Sequence, residues 1–281
     1  MKQRLISAVI GLAVLAAVMV FYTTAVFNLA VMAIGCLAVY EILLATKYVE
    51  NKALAVICLL FSAAIPFLSH EKWEVLVPVI CCTFVFSLFV LLLAEHKRLR
   101  IEQMGLAFFI SLVVPFAFST FILIRDGAEN VFVGAFYVLF GLGSAWFSDS
   151  GAFFSGRAFG RHKLAPEISP KKTVEGAVGG VVSNLIFLVL FFWLYRWGVA
   201  HFAGVTLVAS YPRLLVLATL GSVMGMLGDL SFSLIKRQCS IKDFGTIMPG
   251  HGGVLDRFDS VLFTMPTTYL FILFFPFVSV L

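Results

Sequence analysis

Long runs of apolar residues fill most of this chain of 281 residues, and short polar stretches separate them. A bilayer core about 30 Å thick is crossed by a helix of about 20 apolar residues. On that measure the apolar runs predict nine membrane-spanning helices. Their predicted bounds are 5–22, 24–45, 53–69, 73–93, 104–124, 131–148, 174–195, 212–230 and 258–281. The pattern therefore predicts an all-α, polytopic integral membrane protein.

The composition excludes a soluble globular domain. Hydrophobic residues make up 61% of the chain and charged residues only 12%, whereas soluble domains carry about 25% charged residues. The five cysteines lack the paired spacing that a disulfide framework or a zinc site needs. The run after Arg4 resembles a signal peptide, but it is long enough to span and no clear small-residue cleavage site follows. We interpret it as a retained first helix.

The distribution of lysines and arginines predicts the topology, because cytoplasmic segments of membrane proteins are enriched in these residues. With a cytoplasmic N-terminus, nine spans place 16 of the 20 basic residues inside. The four outside are Lys72, Arg125, Arg196 and Arg213. The sequence therefore predicts a C-terminus on the outside. The net charge of +5 follows from the same bias and does not indicate a nucleic-acid partner.

Two predicted cytoplasmic loops are long and polar, residues 149–173 and 231–257. We expect residues 1–125 to form an N-terminal region of about five helices, and residues 126–281 to form a catalytic region that carries both loops. Small residues at three- and four-residue spacing predict close helix packing in that region. They are Gly176, Gly179, Gly180, Gly221, Gly225 and Gly228.

The stretch 233–259 concentrates the candidate chemistry. Asp229 precedes it, and Asp256 and Asp259 would share a helical face if the last span began near Leu255. Carboxylates hold Mg²⁺, and cations neutralise phosphate oxygens, so the stretch indicates phosphate chemistry. The alternative for Asp229 is a solvated helix end. The other charged residues of the stretch are Lys236, Arg237, Lys242, Asp243, His251 and Arg257.

The loop 149–173 offers a second set of phosphate-binding groups. Asp149 is predicted at the end of the sixth span, and Arg157, Arg161 and Lys163 follow at helical spacing. The alternative is a basic loop that contacts anionic lipid headgroups. Further polar residues before the seventh span are Ser169, Lys171, Lys172 and Thr173.

Three other ionisable residues have open roles. His251, in a glycine-rich turn, could be a general base, a metal ligand, a phosphate donor or a structural residue. Glu41 is predicted to face the interior of the bundle, and Glu175 opens the seventh span. Neither glutamate has a partner that the sequence can assign.

The stretch resembles the signature of the phosphatidate cytidylyltransferases, also called CDP-diacylglycerol synthases. Residues 148–152 and 163–173 also resemble family segments, S-D-S-G-A and K-L-A-P-x-I-S-P-x-K-T. Met248 departs from the usual Leu, Ile or Phe, which is a like-for-like apolar exchange. The signature here reads Ser233, Ile235, Lys236-Arg237, Lys242-Asp243, Gly245, Pro249, His251-Gly252-Gly253, Asp256-Arg257 and Asp259.

The resemblance implies that CTP and phosphatidate react to give CDP-diacylglycerol and pyrophosphate. It implies Mg²⁺ on Asp229 and Asp256, and leaves open a second metal ion and a homodimer. It also implies a bacterial inner membrane location with the active site facing the cytoplasm. The catalytic residues expected on this basis are Lys236, Arg237, Lys242, Asp243, His251, Arg257 and Asp259. The substrate-binding residues expected are Asp149, Arg157, Lys163, Ser169, Lys172, Thr173, Ser233, Gly252 and Gly253.

Two rival functions remain in view at this point. A CTP-dependent lipid-alcohol kinase would share a membrane nucleotide site but transfer the γ-phosphate, and the P-G-H-G-G-x-x-D-R-x-D segment favours the cytidylyltransferase. A transporter would place ionisable residues along mid-membrane positions, whereas here they are predicted to cluster at one face of the membrane. The CDP-alcohol phosphotransferase pattern, D-G-x-x-A-R followed by G-x-x-x-D-x-x-x-D, is absent from the sequence.

Overall fold

A computed structural model describes residues 2–45, 51–68, 75–247 and 252–281. In these residues the fold is helical, with one short β-hairpin and a second antiparallel pair of strands that are distant in sequence. The helices are α1 Lys2–Val20, α2 Ala25–Ala45, α3 Lys52–Ala64, α4 Leu76–Ala94, α5 Ile101–Asp126, α6 Val131–Phe159, α7 Val174–Ala203, α8 Tyr211–Gln238, α9 Leu255–Phe258 and α10 Val261–Phe274. A 3-10 turn covers Ile65–Phe67, and the strands are β1 Lys163–Ala165, β2 Ser169–Thr173, β3 Leu207–Ala209 and β4 Val278–Val280.

Six of the described helices, α2 and α4 to α8, are long and apolar enough to cross a membrane. Shorter apolar helical segments lie at Val9–Val20, Lys52–Phe67 and Val261–Phe274. The prediction of an all-α membrane protein is therefore confirmed. The count of nine spans and the topology remain predictions.

The predicted boundaries of both long loops are wrong, because two helices continue beyond their apolar runs. Helix α6 extends to Phe159, ten residues past Asp149, and α8 extends to Gln238. Apolarity marks where a chain leaves hydrocarbon, whereas a helix continues until a residue disfavours it. For α6 that residue is Gly160, whose backbone is extended.

The last predicted helix is also too long at its C-terminal end. Helix α10 ends at Phe274, and β4 then pairs antiparallel with β3, placing Leu207 opposite Val280. Pro276 disfavours a helical conformation at the residue before it. The Tyr137 hydroxyl of α6 accepts hydrogen bonds from the backbone N–H groups of Phe277 and Val278, at 3.0 and 2.9 Å.

The chain divides into two compact units. Unit 1 comprises Met1–Leu123 and Ile241–Arg257. Within it α2 packs against α3 and α3 against α4. The rings of Phe61 and Phe84 stack between α3 and α4 with centroids 3.9 Å apart.

Unit 2 comprises Ile124–Ser240 and Phe258–Leu281, and small residues bring its helices together as predicted. A Cβ added at Gly151 would overlap Ser183, and one added at Gly179 would overlap Ser155, so α6 and α7 are in close contact. The Asn184 amide of α7 donates to Ser144 Oγ of α6 at 2.9 Å and to the Ala218 carbonyl of α8 at 2.8 Å. These hydrogen bonds link three helices where lipid offers no polar partner.

Candidate active site

Asp229 lies on α8 in unit 2, between a lysine and a serine. Lys172 Nζ is 2.6 Å from Asp229 Oδ2, and both side chains are half-buried. The Ser233 hydroxyl, one turn later on the helix, donates to Asp229 Oδ1 at 3.2 Å. Asp229 is therefore a paired carboxylate rather than a solvated helix end.

The β1–β2 hairpin carries Lys172 to this aspartate. Thr173, the next residue, pairs with Lys163 across the hairpin, and its hydroxyl caps α7 by accepting the Gly176 N–H at 3.1 Å. Ser169, at the other end of β2, lies opposite Ala165. The hairpin thus joins directly to α7. Because the capping residue Thr173 directly follows Lys172, the cap also fixes the backbone position of Lys172.

Three further side chains hold the hairpin and the turn before it in place. Arg237 Nε on α8 donates to the Ile168 carbonyl at 3.3 Å. Lys163 Nζ donates to the Pro170 carbonyl within the hairpin at 2.7 Å. Glu175 accepts the backbone N–H groups of Arg161 and His162, at 3.0 and 3.2 Å. No partner of Glu175 could be assigned from the sequence, because the turn that it binds lies between the end of α6 and the start of β1.

Asp259 lies in the turn between α9 and α10 and is buried, with 8% of its surface exposed. Its Oδ1 accepts the Ser260 N–H at 2.8 Å, and its Oδ2 is 4.0 Å from Lys236 Nζ. The Ser260 hydroxyl donates to Asp149 Oδ2 at 3.1 Å. Burial, followed by the charge of Asp229, raises the pKa of Asp259 to about 7, and Lys236 opposes the shift. The carboxyl groups of Asp149, Asp229 and Asp259 are therefore close enough to one another to interact.

Asp256 lies on α9 in unit 1 and binds the backbone of its own segment. Its Oδ2 accepts the N–H groups of Phe244 and Gly253, at 2.8 and 3.0 Å. Gly252 has a φ of 84°, and a Cβ there would be 3.0 Å from Asp256 Oδ2 and 3.4 Å from the Asp243 side chain. Glycine is therefore required at this turn both for its backbone conformation and for the space that it leaves.

Two predictions about local geometry are wrong. Arg157, Arg161 and Lys163 do not share a helix: Arg157 is on α6, Arg161 follows its end and Lys163 begins β1. The helix expected to carry Asp256 and Asp259 on one face is interrupted after Phe258. The reason is the same in both cases. Residues at helical spacing share a face only if one continuous helix carries them, and here the helix ends between them.

The predicted site residues are divided between the units. Those of unit 2 are Asp149, Arg157, Lys163, Ser169, Lys172, Thr173, Asp229, Ser233, Lys236, Arg237 and Asp259. Those of unit 1 are Lys242, Asp243, Gly252, Gly253, Asp256 and Arg257. Lys242, Asp243 and Arg257 are exposed. His251 lies outside the described residues, and the pairing of Asp229 with Asp256 stays a prediction.

Asp229, together with the nearby Asp149 and Asp259, offers carboxylate oxygens of the kind that bind Mg²⁺. Among the described residues no group of three or more His, Cys, Asp or Glu side chains forms a ready-made metal site. Mg²⁺ usually takes only one or two carboxylates and completes its shell with waters and substrate phosphates. The charges of Asp149 and Asp229 both raise the pKa of Asp259. A cation bound near these three carboxyl groups would therefore relieve the repulsion among them.

Comparison with known proteins connects this arrangement to a family. Residues 2–275 match the profile of the Cytidylyltransferase family. The chain belongs to the cytidylyltransferase family. A phosphatidate cytidylyltransferase of Bacillus subtilis strain 168 is 33% identical over 284 aligned residues, which cover 98% of each chain. One of Haemophilus influenzae is 35% identical over 164 residues, covering 57% of this chain and 54% of that protein.

A third cytidylyltransferase relative, from Staphylococcus saprophyticus, shows a shorter match. It is named phosphatidate cytidylyltransferase and is 40% identical over 133 residues, 47% of each chain. The family profile covers both units, including the N-terminal helices, which lie outside the signature segments. Family membership therefore applies to nearly the whole chain.

The ion pair between Lys172 and Asp229 generates a prediction about stability. We expect Lys172→Met to lower the free energy of unfolding by about 1–2 kcal/mol, because a half-buried Asp229 would lose its ammonium partner. Lys171→Met is the matched control, since Lys171 is the exposed neighbour in the same strand. The measurement is unfolding in mixed micelles with increasing SDS and without divalent cations. Equal destabilisation by the two substitutions would contradict the prediction.

Proposed function

We propose that this chain is a phosphatidate cytidylyltransferase, which converts CTP and phosphatidate to CDP-diacylglycerol and pyrophosphate. The observation that carries the proposal is the 33% identity to the Bacillus subtilis enzyme over 98% of both chains. The relative matches along its full length, so the likeness does not rest on one shared segment. The paired carboxylates and cations of unit 2 agree with chemistry on phosphate groups.

The reaction joins two polyanions. A phosphate oxygen of phosphatidate forms a bond to the α-phosphorus of CTP, and the bond from that phosphorus to the bridging oxygen of pyrophosphate breaks. The nucleophile is already an anion, so the protein needs no strong general base. Its main task is to neutralise and align charge, which supplies most of the catalysis in phosphoryl-type transfers.

The described residues suit that task. Lys172 and Lys236 are half-buried ammonium groups, and each forms an ion pair with an aspartate. Their surroundings have a lower effective dielectric constant than water, so their charges interact more strongly with nearby charged groups. Arg237 is exposed, and its contact with Ile168 links α8 to the hairpin. We propose that these cations bind phosphate oxygens, and that Asp229 and Asp256 hold Mg²⁺. The bound ion would screen the two substrates and polarise a phosphate oxygen.

We also propose nine membrane spans, with a cytoplasmic N-terminus, an external C-terminus and both polar segments on the cytoplasmic side of the bacterial inner membrane. Six long apolar helices and three shorter ones coincide with the nine predicted runs. The bias of lysine and arginine supports the orientation. This arrangement gives the site access to cytoplasmic CTP at the depth of the lipid phosphate.

The activity can be tested with labelled CTP. We expect membranes that contain the protein to transfer label from the α-phosphate of CTP into a lipid when phosphatidate and Mg²⁺ are present, because the CMP part of CTP joins the lipid. Label from the γ-phosphate should appear in pyrophosphate. Membranes without the protein are the control. Transfer of the γ-label to a lipid alcohol, with no α-label in lipid, would favour a kinase instead.

The metal-binding role can be tested on the two aspartates. We expect Asp229→Asn and Asp256→Asn each to lower turnover roughly a hundredfold, because a neutral amide removes charge that offsets the metal and the substrate phosphates. Asp126→Asn at the end of α5, where Asp126 pairs with the neighbouring Arg125, is the control and should keep wild-type turnover. Wild-type turnover in a correctly inserted Asp256→Asn protein would refute its metal-binding role.

The topology can be tested by thiol labelling in spheroplasts. In a variant whose five cysteines are replaced, Leu281→Cys should react with an impermeant maleimide from outside, because Leu281 is exposed at the C-terminus. Arg161→Cys should react only after permeabilisation, because we place its segment in the cytoplasm. The opposite pattern would reverse the orientation, and labelling of both from outside would contradict nine spans.

A further inference from the structure

Glu41 is a buried carboxylate that the proposed reaction does not use. It lies on α2, a candidate membrane span, and only 2% of its surface is exposed. A carboxylate within a span is costly unless it has hydrogen-bond partners. Its partners come from residues more than 200 positions later in the chain. Oε1 accepts the Val254 N–H and Oε2 accepts the Leu255 N–H, both at 2.9 Å.

These two N–H groups lie immediately before Asp256. Leu255 is the first residue of α9, where backbone N–H groups have no acceptor within the helix. Glu41 supplies the missing acceptors from a different helix. Both of its oxygens are engaged, so the backbone on which Asp256 is carried is fixed at two consecutive residues.

Two glycines of the segment leave the space that this carboxylate occupies. A Cβ added at Gly245 would overlap Glu41 Oε1, and one added at Gly253 would overlap Glu41 Oε2. Two glycines from opposite ends of the segment 241–257 therefore enclose the carboxylate. Asp256 binds the same segment by accepting the N–H groups of Phe244 and Gly253. Within the described part of this segment, Glu41 and Asp256 together accept four backbone N–H groups.

We propose that Glu41 is a positioning residue of the active site. By binding the Val254 and Leu255 N–H groups it fixes the backbone that orients Asp256, and it acts on the reaction only through that aspartate. The inference rests on the proposed function, in which Asp256 takes part in catalysis. The competing role is a purely structural one, in which Glu41 stabilises the helices of unit 1 without effect on turnover.

The substitution Glu41→Gln separates these roles. Glutamine keeps the shape of the side chain but presents an NH₂ group to one of the two N–H donors, so one hydrogen bond is lost. We expect amide hydrogen exchange at Val254 and Leu255 to become about tenfold faster, with no change in α2 and α3, because one hydrogen bond that opposes local opening is lost and the other no longer has a charged acceptor. The same variant should lose about tenfold in kcat while KM for CTP stays within about twofold.

A matched control is available in the same unit. Glu102→Gln makes the same chemical change on an exposed side chain in the first turn of α5. It should leave the exchange of segment 241–257 and the turnover unchanged. Gly245→Ala approaches the contact from the other side, because its methyl group would displace the Glu41 carboxylate while Glu41 itself is retained. We expect it to reproduce the local increase in exchange and the loss of kcat, and it replaces Glu41→Gln if that variant fails to fold.

Each outcome has a distinct meaning. Unchanged exchange at Val254 and Leu255 would overturn the inference, and so would faster exchange with wild-type kcat. Faster exchange throughout α2 and α3 would assign Glu41 the structural role. A wild-type protein that forms no CDP-lipid would refute the proposed function, and exchange at Val254 and Leu255 would still report whether Glu41 fixes this backbone.

Discussion

A carboxylate in an apolar chain must find hydrogen-bond donors or a cation, and this requirement shapes the functional region. Glu41 and Asp256 satisfy it with backbone N–H groups. Asp229 satisfies it with an ammonium group. Since an unpaired charge in such surroundings costs several kcal/mol, each contact constrains the backbone that supplies the partner. The acidic residues therefore hold the loops to the helices, in addition to any part they play in chemistry.

Much of the helical architecture follows from the sequence because one physical rule governs it. Hydrocarbon demands about 20 apolar residues per crossing, and close packing in lipid demands small residues, which is why Gly151 and Gly179 meet serines of the facing helix. The ends of α6 and α8 do not follow from that rule. Helix α6 ends at Gly160. Both helices extend beyond their apolar runs through polar residues that are compatible with a helix outside the membrane.

The contacts of the site are less accessible to sequence reasoning, because they join distant residues. The bond from Val254 to Glu41 spans 213 positions, and no local pattern around Glu41 indicates its partner. Proximity in sequence would group residues 241–257 with α8 and α10, which precede and follow them. They belong instead to the same compact unit as the N-terminal helices. A motif read as one continuous site is thus divided between two compact units, and the sequence shows its residues but not that division.

The pairing of cations in unit 2 has a consequence for how phosphate groups would bind there. Lys172 and Lys236 are each already in an ion pair with an aspartate, and Arg237 donates to a backbone carbonyl. A substrate phosphate can recruit these groups only by weakening contacts that exist without it. Replacing a lysine–aspartate contact by a lysine–phosphate contact is favourable when the aspartate gains another cation at the same time. Breaking the half-buried ion pair alone would leave the charge of the aspartate uncompensated. Binding of the nucleotide and of a divalent cation should therefore be coupled, and this coupling follows from the ion pairs themselves.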